Sequence, residues 1–266
     1  MPLFQLVLLA LVQGLTEFLP VSSSAHLILA PIAAGLEDQS PLIDVMAHVG
    51  SLVAVLVYFW RDILDVAKGK LAWLSGKMTS GGRLALLVGI ATPPVIIAAG
   101  ALYLTGNADL FRSPLVIAIA TLVFAIPLWA ADRFGRRTET SETLGYGAAF
   151  LIGLAQVFAL IPGASRSGVT MTAGRALGLT RQETARFSML MAIPVIAAFG
   201  LVAGFDLARG TEAGASLTDG LIVAALSFVS AWAAIAVMMR FVERVGFLPF
   251  VIYRFALAGL IFWLLV

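Results

Sequence analysis

The run Ile161-Pro162-Gly163-Ala164-Ser165-Arg166-Ser167-Gly168-Val169-Thr170 sets an arginine and three hydroxyls inside otherwise apolar sequence. Between Leu144 and Leu179 the only charged residues are Arg166 and Arg175. A charge at mid-membrane costs roughly 2.5–3.5 kcal/mol on insertion scales and marks a functional site by default. Pro162 and Gly163 break the helix here. Non-helical backbone at membrane depth is tolerated only where protein or a wet cavity covers it. A half-helix restarting among Ser165, Arg166 and Ser167 turns its free N–H groups toward any anion. The guanidinium adds a planar fork matched to phosphate. The stretch therefore reads as a phosphate cradle inside a membrane.

Composition agrees. Of 266 residues, 61% are hydrophobic and 12% charged, where soluble domains average about 45–50% and about 25%. This predicts an all-α polytopic membrane protein. The net charge of +2 gives no reason to expect nucleic acid as a partner. Without cysteine, thiol chemistry, disulfides and cysteine-ligated metals are excluded. The apolar start has no Lys or Arg before Arg61. It thus lacks the basic region of a secretory signal and is expected to belong to the fold.

Working outward, a full span needs about 20 apolar residues. Pro41–Trp60, Leu84–Leu104, Pro114–Ala131, Phe187–Phe205, Leu221–Met239 and Phe250–Val266 read as spans. Residues 3–34 are interrupted by Glu17, Pro20, three serines and His26. They read as a re-entrant hairpin of arms Leu3–Leu19 and Ser24–Ala34 with its tip at Pro20. Leu144–Leu160 and Ser167–Leu179 repeat the pattern with a tip at Pro162. Arg61–Arg83 reads as a loop, Thr180–Arg186 as a basic turn, and Arg112 as the lone cation of a short turn. The connectors at 61–83, 132–143, 175–186 and 240–249 hold nearly all the Lys and Arg. The positive-inside rule places all four in the cytoplasm, which works only if both hairpins turn back within the membrane. Three spans follow each hairpin, so a second unit (about 144–266) would be inverted relative to the first (about 1–131) within one membrane domain, 1–266.

Gln13-Gly14-Leu15-Thr16-Glu17-Phe18-Leu19-Pro20-Val21-Ser22-Ser23-Ser24 and Gln156-Val157-Phe158-Ala159-Leu160-Ile161-Pro162-Gly163-Ala164-Ser165-Arg166-Ser167 support the duplication. Each runs Gln, apolar residues, Pro, serine cluster. Paired broken helices in corresponding halves point to a midplane site, and two facing N-termini favour an anion.

Gln13 and Glu17 share a helix face at i, i+4, and Glu17 needs a cation, a metal or a hydrogen-bond partner at that depth. Ser23 and His26 can share a face of the second arm. Serine, histidine and acid together follow nucleophile–base–orienter logic, although Ser22–Ser24 also suit a helix cap. Arg166 is the main phosphate ligand; an ion pair with Glu17 is its plainer role. Ser24, Gly163, Ser165, Ser167 and Thr170 are candidate phosphate contacts, with capping as the alternative. His48 is a further candidate inside a span. Arg175 and Arg254 are expected to snorkel to an interface. Neither an HExxH pattern nor a P-loop is present.

At these residues the chain resembles the bacitracin-resistance type of undecaprenyl-diphosphate phosphatase. One signature of that family, (E/Q)xxxE running into Pro-Val-Ser-Ser and a His, is met from Gln13 to His26. The second, PGxSRSxxT, is met from Pro162 to Thr170. The likeness spans the chain, including Phe-Leu-Pro-Phe-Val-Ile-Tyr-Arg-Phe at 247–255. It implies catalytic Glu17, Ser23, His26 and Arg166, and hydrolysis of a polyprenyl diphosphate lipid to monophosphate and phosphate in cell-wall carrier recycling. It also implies a divalent cation, Mg²⁺ or Ca²⁺, with Glu17 and Gln13 as metal candidates. The expected place is the bacterial plasma membrane with the site opening outward; homo-oligomerisation stays open. Gln13 stands where many members have Glu, and His48 where a Gln is expected. The rival reading is a transporter or flippase for a lipid phosphate using the same anion site; a third class is a non-catalytic lipid-binding protein.

Overall fold

The computed structural model describes residues 1–35, 40–106, 111, 113–209 and 216–265. Arg112 lies outside them. Among the described residues the chain forms thirteen α-helices and one 3₁₀ turn. A first hairpin, α1 (Leu3–Thr16) and α2 (Ser23–Ala34), is followed by α3 (Pro41–Tyr58) and α4 (Trp60–Trp73). Next come α5 (Ser80–Ala91) and α6 (Pro93–Leu104), then α7 (Pro114–Val123) and α8 (Ala125–Phe134). The second hairpin is α9 (Tyr146–Gln156), the 3₁₀ turn Val157–Leu160, and α10 (Arg166–Ala176). The chain closes with α11 (Arg181–Ala208), α12 (Leu217–Val245) and α13 (Leu248–Leu265).

Among the described residues six stretches are long and apolar enough to cross a membrane: α3, Ser80–Leu104, Pro114–Phe134, Arg181–Asp206, α12 and α13. They coincide with the six expected spans. The second of them is interrupted at Thr92, where Pro93 and Pro94 remove N–H donors and clash with the preceding turn. Both hairpins break where expected, over Glu17–Ser22 and Ile161–Ser165. Ser22 (φ 77°) and Ser165 (φ 72°) are the only non-glycine residues with positive φ among those described.

Small residues let the helices close on one another, as membrane packing requires. A Cβ on Gly14 of α1 would strike Ser230 Oγ and the Ser227 carbonyl of α12. One on Gly50 of α3 would strike the Ala224 carbonyl of α12, and one on Gly153 of α9 the Ala91 carbonyl of α5. Ser227 and Ser230 each donate to the Ala10 carbonyl at 3.2 Å.

The basic connectors gather at one end of the bundle. Asp132 accepts from Arg181 Nε (2.7 Å), Arg181 Nη2 (2.8 Å), Arg175 Nε (3.3 Å) and the Phe247 N–H (3.2 Å). Arg186 pairs with Asp62 and Glu183, and Arg83 donates to the Leu144 carbonyl at 2.7 Å. At the opposite end the Met1 amino group meets Asp219 at 3.0 Å. The first hairpin therefore enters and leaves at the Met1 end, since α3 starts with Leu42 and Met46 beside Gly220. The second enters and leaves at the basic end.

Three expectations need correction. Arg61–Arg83 is not a plain loop: α4 fills most of it, packing Gly69 against Gly81 and Gly82. Its charges mask an apolar stripe of Trp60, Leu64, Ala67, Leu71 and Leu74, all exposed. Thr180–Arg186 is not a turn, because α11 already begins at Arg181. Arg175 and Arg254 do not snorkel; both are fully buried. Arg175 reaches Asp132 and the carbonyls of Gly135, Arg136 and Leu179. Arg254 reaches only carbonyls: Thr121 (3.0 Å), Ala164 (3.0 Å), Gly163 (3.0 Å) and Ala120 (3.5 Å).

Candidate active site

The two hairpin tips meet on one carboxylate. Glu17 ends α1 and is 8% exposed. Its Oε1 accepts from Arg166 Nη2 at 3.0 Å, across 149 positions of sequence. Its Oε2 accepts from Ser23 Oγ at 2.7 Å and from Gln13 Nε2 at 2.9 Å. His48 Nε2 stands 3.9 Å from the same oxygen. Glu17 thus gathers one guanidinium, one hydroxyl, one amide and one imidazole, each from a different helix except Gln13.

The local backbone explains this convergence. Ser22 and Ser165 occupy the same structural position in their hairpins. Each has positive φ; each Oγ accepts an N–H three residues on, from Ala25 (3.4 Å) and Gly168 (3.1 Å). Each also pairs with the serine two residues on, Ser24 (3.2 Å) and Ser167 (3.1 Å). The residue enclosed by each pair, Ser23 or Arg166, is thereby turned toward Glu17. First-turn N–H groups of a helix lack intrahelical partners, so α2 and α10 bring open donors and their positive dipole ends with them.

The second tip is held from behind. Gly163 (φ 95°) leaves no room for a Cβ, which would strike the Ile117 carbonyl and Thr121 Oγ1. Arg254 grips the Gly163 and Ala164 carbonyls. The Ala164 N–H closes the same turn on the Ile161 carbonyl at 3.0 Å. Arg166 is further fixed by the Ser188 carbonyl (3.1 Å) and lies over the Phe18 ring at 5.6 Å.

Not every candidate joins the centre as expected. Ser165 is spent as a cap, Ser167 donates to the Leu19 carbonyl at 2.7 Å, and Thr170 bonds the Arg166 carbonyl and Ser188 Oγ. These three build the tip rather than face an open centre. Ser24 is exposed at the mouth. The serine–histidine–acid relay is not formed: Ser23 meets Glu17 directly. His26 Nδ1 lies 2.7 Å from the Ser22 carbonyl, which only accepts, so Nδ1 carries the proton and Nε2 accepts from Tyr253 Oη at 2.6 Å. Sequence reasoning missed Tyr253, Ser188 and the burial of Arg254. Tyr253 and Arg254 did fall within the 247–255 run, the one signal available.

The donor set suits a hard cation in part. Gln13 Oε1 is buried without a partner, beside the Glu17 carboxylate. Two oxygen donors side by side match how magnesium is usually held, with few protein ligands and other oxygens completing the shell. Among the described residues no group of three or more acidic, histidine or cysteine side chains is assembled for a metal.

Six membrane-length helices around a polar centre built from two returning hairpins define a multi-pass helical membrane protein. Comparison then gives the family. The chain matches Bacitracin resistance protein BacA over residues 6–260 and belongs to that family. It is 70% identical over 259 residues to an undecaprenyl-diphosphatase of Maricaulis maris (strain MCS10), covering 97% of both chains. It is 50% identical over 258 residues to an undecaprenyl-diphosphatase of Ruegeria pomeroyi (strain ATCC 700808 / DSM 15171 / DSS-3), covering 97% of this chain and 96% of that one.

Proposed function

We propose that this protein is a phosphatase that hydrolyses undecaprenyl diphosphate to undecaprenyl phosphate and inorganic phosphate, returning the cell-wall lipid carrier to use. The meeting of Ser23, Arg166 and Glu17 on adjoining half-helix N-termini is the observation that carries the reading. In the substrate complex the terminal phosphate displaces Glu17 from Arg166, whose fork takes two phosphate oxygens. The first-turn N–H groups of α2 and α10 take others, so charge compensation and positioning supply most of the catalysis. Ser23 Oγ attacks the terminal phosphorus, Glu17 receives its proton, and the bond to the bridging oxygen breaks to release undecaprenyl phosphate. Glu17 passes that proton to the departing monophosphate; water, deprotonated in turn by Glu17, then attacks the phosphoserine phosphorus, and the proton returns to Ser23 Oγ as inorganic phosphate leaves. A divalent cation, held by Gln13 Oε1 and Glu17, would neutralise diphosphate charge.

The inverted duplication is part of the proposal. The matched Ser22 and Ser165 turns support it, as does equivalent packing: α1 on α12, and α9 on α5 and α6. So does the return of the two hairpins to opposite ends. With the basic end in the cytoplasm, the bacterial plasma membrane is the setting and the first hairpin dips in from outside, where the site opens.

Phosphate release from undecaprenyl diphosphate by purified protein in detergent with Mg²⁺ or Ca²⁺ tests the reading. Absence of release under either ion would leave a carrier of lipid phosphate. Ser23→Ala tests the nucleophile: a loss of at least about a hundredfold in kcat, on the scale of a lost activated nucleophile, is expected. Near-normal turnover would assign the attack to water.

A further inference from the structure

The lipid half of the substrate needs a place as well, and an apolar cleft begins at the site. It encloses about 320 Å³ and is lined by Leu15, Leu19, Ala233, Val237, Phe241 and Phe250, among others, all apolar. Its upper end is Leu19, whose carbonyl takes the Ser167 hydroxyl two residues beyond Glu17. Its lower end is Gly246, where a Cβ would meet Arg181 and Asp132 Oδ2. Between Ala233 and Gly246, α12 advances about 20 Å at its usual rise.

The origin of the cleft is the brevity of the first hairpin. The 14 residues of α1 run about 21 Å, while the 29 of α12 run about 44 Å. Beyond Leu19 the described part of the hairpin leaves this face of α12 open, and Val237, Phe241 and Val245 are 58%, 44% and 53% exposed. A half-length hairpin therefore supplies two things together: a polar tip at mid-depth and, under it, an apolar slot toward the basic end.

We propose that this slot holds the first isoprene units of the substrate tail, so that the chain runs from the phosphate site along α12 toward the basic end. The inference rests on the phosphatase reading. Its occupant is fixed by continuity: a diphosphate whose head is held by Arg166 has its first apolar carbons beside Leu19. Among the described residues the side chains that line the slot are apolar, which suits a hydrocarbon rather than a second head group.

Tryptophan at Ala233 or Val237, both exposed lining positions, fills the slot without touching Glu17, Ser23 or Arg166. KM for undecaprenyl diphosphate should rise about tenfold or more, equivalent to losing one or two buried methylenes, with kcat unchanged. KM for methyl diphosphate should move less than about twofold, since it carries no isoprene unit to enter the slot. Equal effects on both substrates, or none on either, would overturn the slot. The chain has no cysteine, so Ala233→Cys gives a second reading through thiol labelling in detergent. Undecaprenyl phosphate should slow labelling and methyl phosphate should not; equal rates with both would overturn the proposal. A wild-type protein inert toward both diphosphates would instead remove the phosphatase reading.

Discussion

At the residue scale the centre is economical: one buried carboxylate is shared by Gln13, Ser23, Arg166 and His48. Breaking a buried charge pair by removing one partner costs about 3–5 kcal/mol, mostly from the charge left behind. Glu17→Gln is therefore expected to destabilise the fold as well as abolish turnover, read by a thermal melt in detergent beside phosphate release. Arg166→Lys keeps charge but loses the fork. It should retain the melt of the parent while kcat/KM falls by at least about a hundredfold, in line with losing one preorganised oxyanion donor. The two turn serines make a sharper case. At Ser165, alanine loses the cap to Gly168 and keeps the strained φ; glycine loses the cap but relieves the backbone. Ser165→Ala should cost about 1–2 kcal/mol more than Ser165→Gly in a detergent melt. The importance of Arg166, Glu17 and the serine clusters could be read from sequence because charge and hydroxyl stand out in apolar runs. The Arg166–Glu17 pair was readable too; the other partners were not. Ser23 bonds Glu17 rather than His26 because the break between α1 and α2 folds back on itself, and Tyr253 holds His26 from 227 positions away; neither is a matter of helical spacing.

At the element scale, spans and breaks were legible for a simple reason: apolar length and Pro-Gly punctuation are local properties. α4 was not, since its charged residues lower its hydropathy while its pattern of exposed Trp60, Leu64, Leu71 and Leu74 shows only in helical projection. Arg175 and Arg254 misled for the opposite reason. A lone cation near a helix end snorkels unless another element offers acceptors, and here Asp132 of α8 and the Gly163–Ala164 carbonyls of the second hairpin tip do so. The close α1–α12 contact yields its own test. Gly14→Leu puts a branched side chain into Ser230 and the α12 backbone. Overpacking of this kind costs about 1–3 kcal/mol, so the melt should fall and turnover with it, as α1 carries Glu17. Gly89→Leu, at a position with open space around it, should leave both unchanged.

At the scale of the whole molecule, the gathering of four basic connectors at one end gives a definite sidedness. In whole cells, an impermeant thiol reagent should label a cysteine at Ala34 and spare ones at Lys70 and Arg137; the reverse pattern would invert the protein. Asp132 ties α8, α10, α11 and the start of α13 together through Arg175, Arg181 and the Phe247 N–H. Asp132→Ala leaves the buried Arg175 guanidinium and the half-buried one of Arg181 short of their anion and should cost about 3–5 kcal/mol. Because that end lies away from Glu17, the loss should appear in the melt before it appears in kcat at low temperature.

The long sequence gap between Glu17 and Arg166 also bears on biogenesis. During synthesis at about 5–20 residues per second, the acid leaves the ribosome roughly 7–30 s before its guanidinium partner. For that interval the first hairpin must wait half-inserted, its carboxylate sheltered by whatever the insertion machinery provides. Nascent chains stalled short of residue 166 should remain crosslinked to that machinery, and chains stalled well past Leu179 should be released into the bilayer.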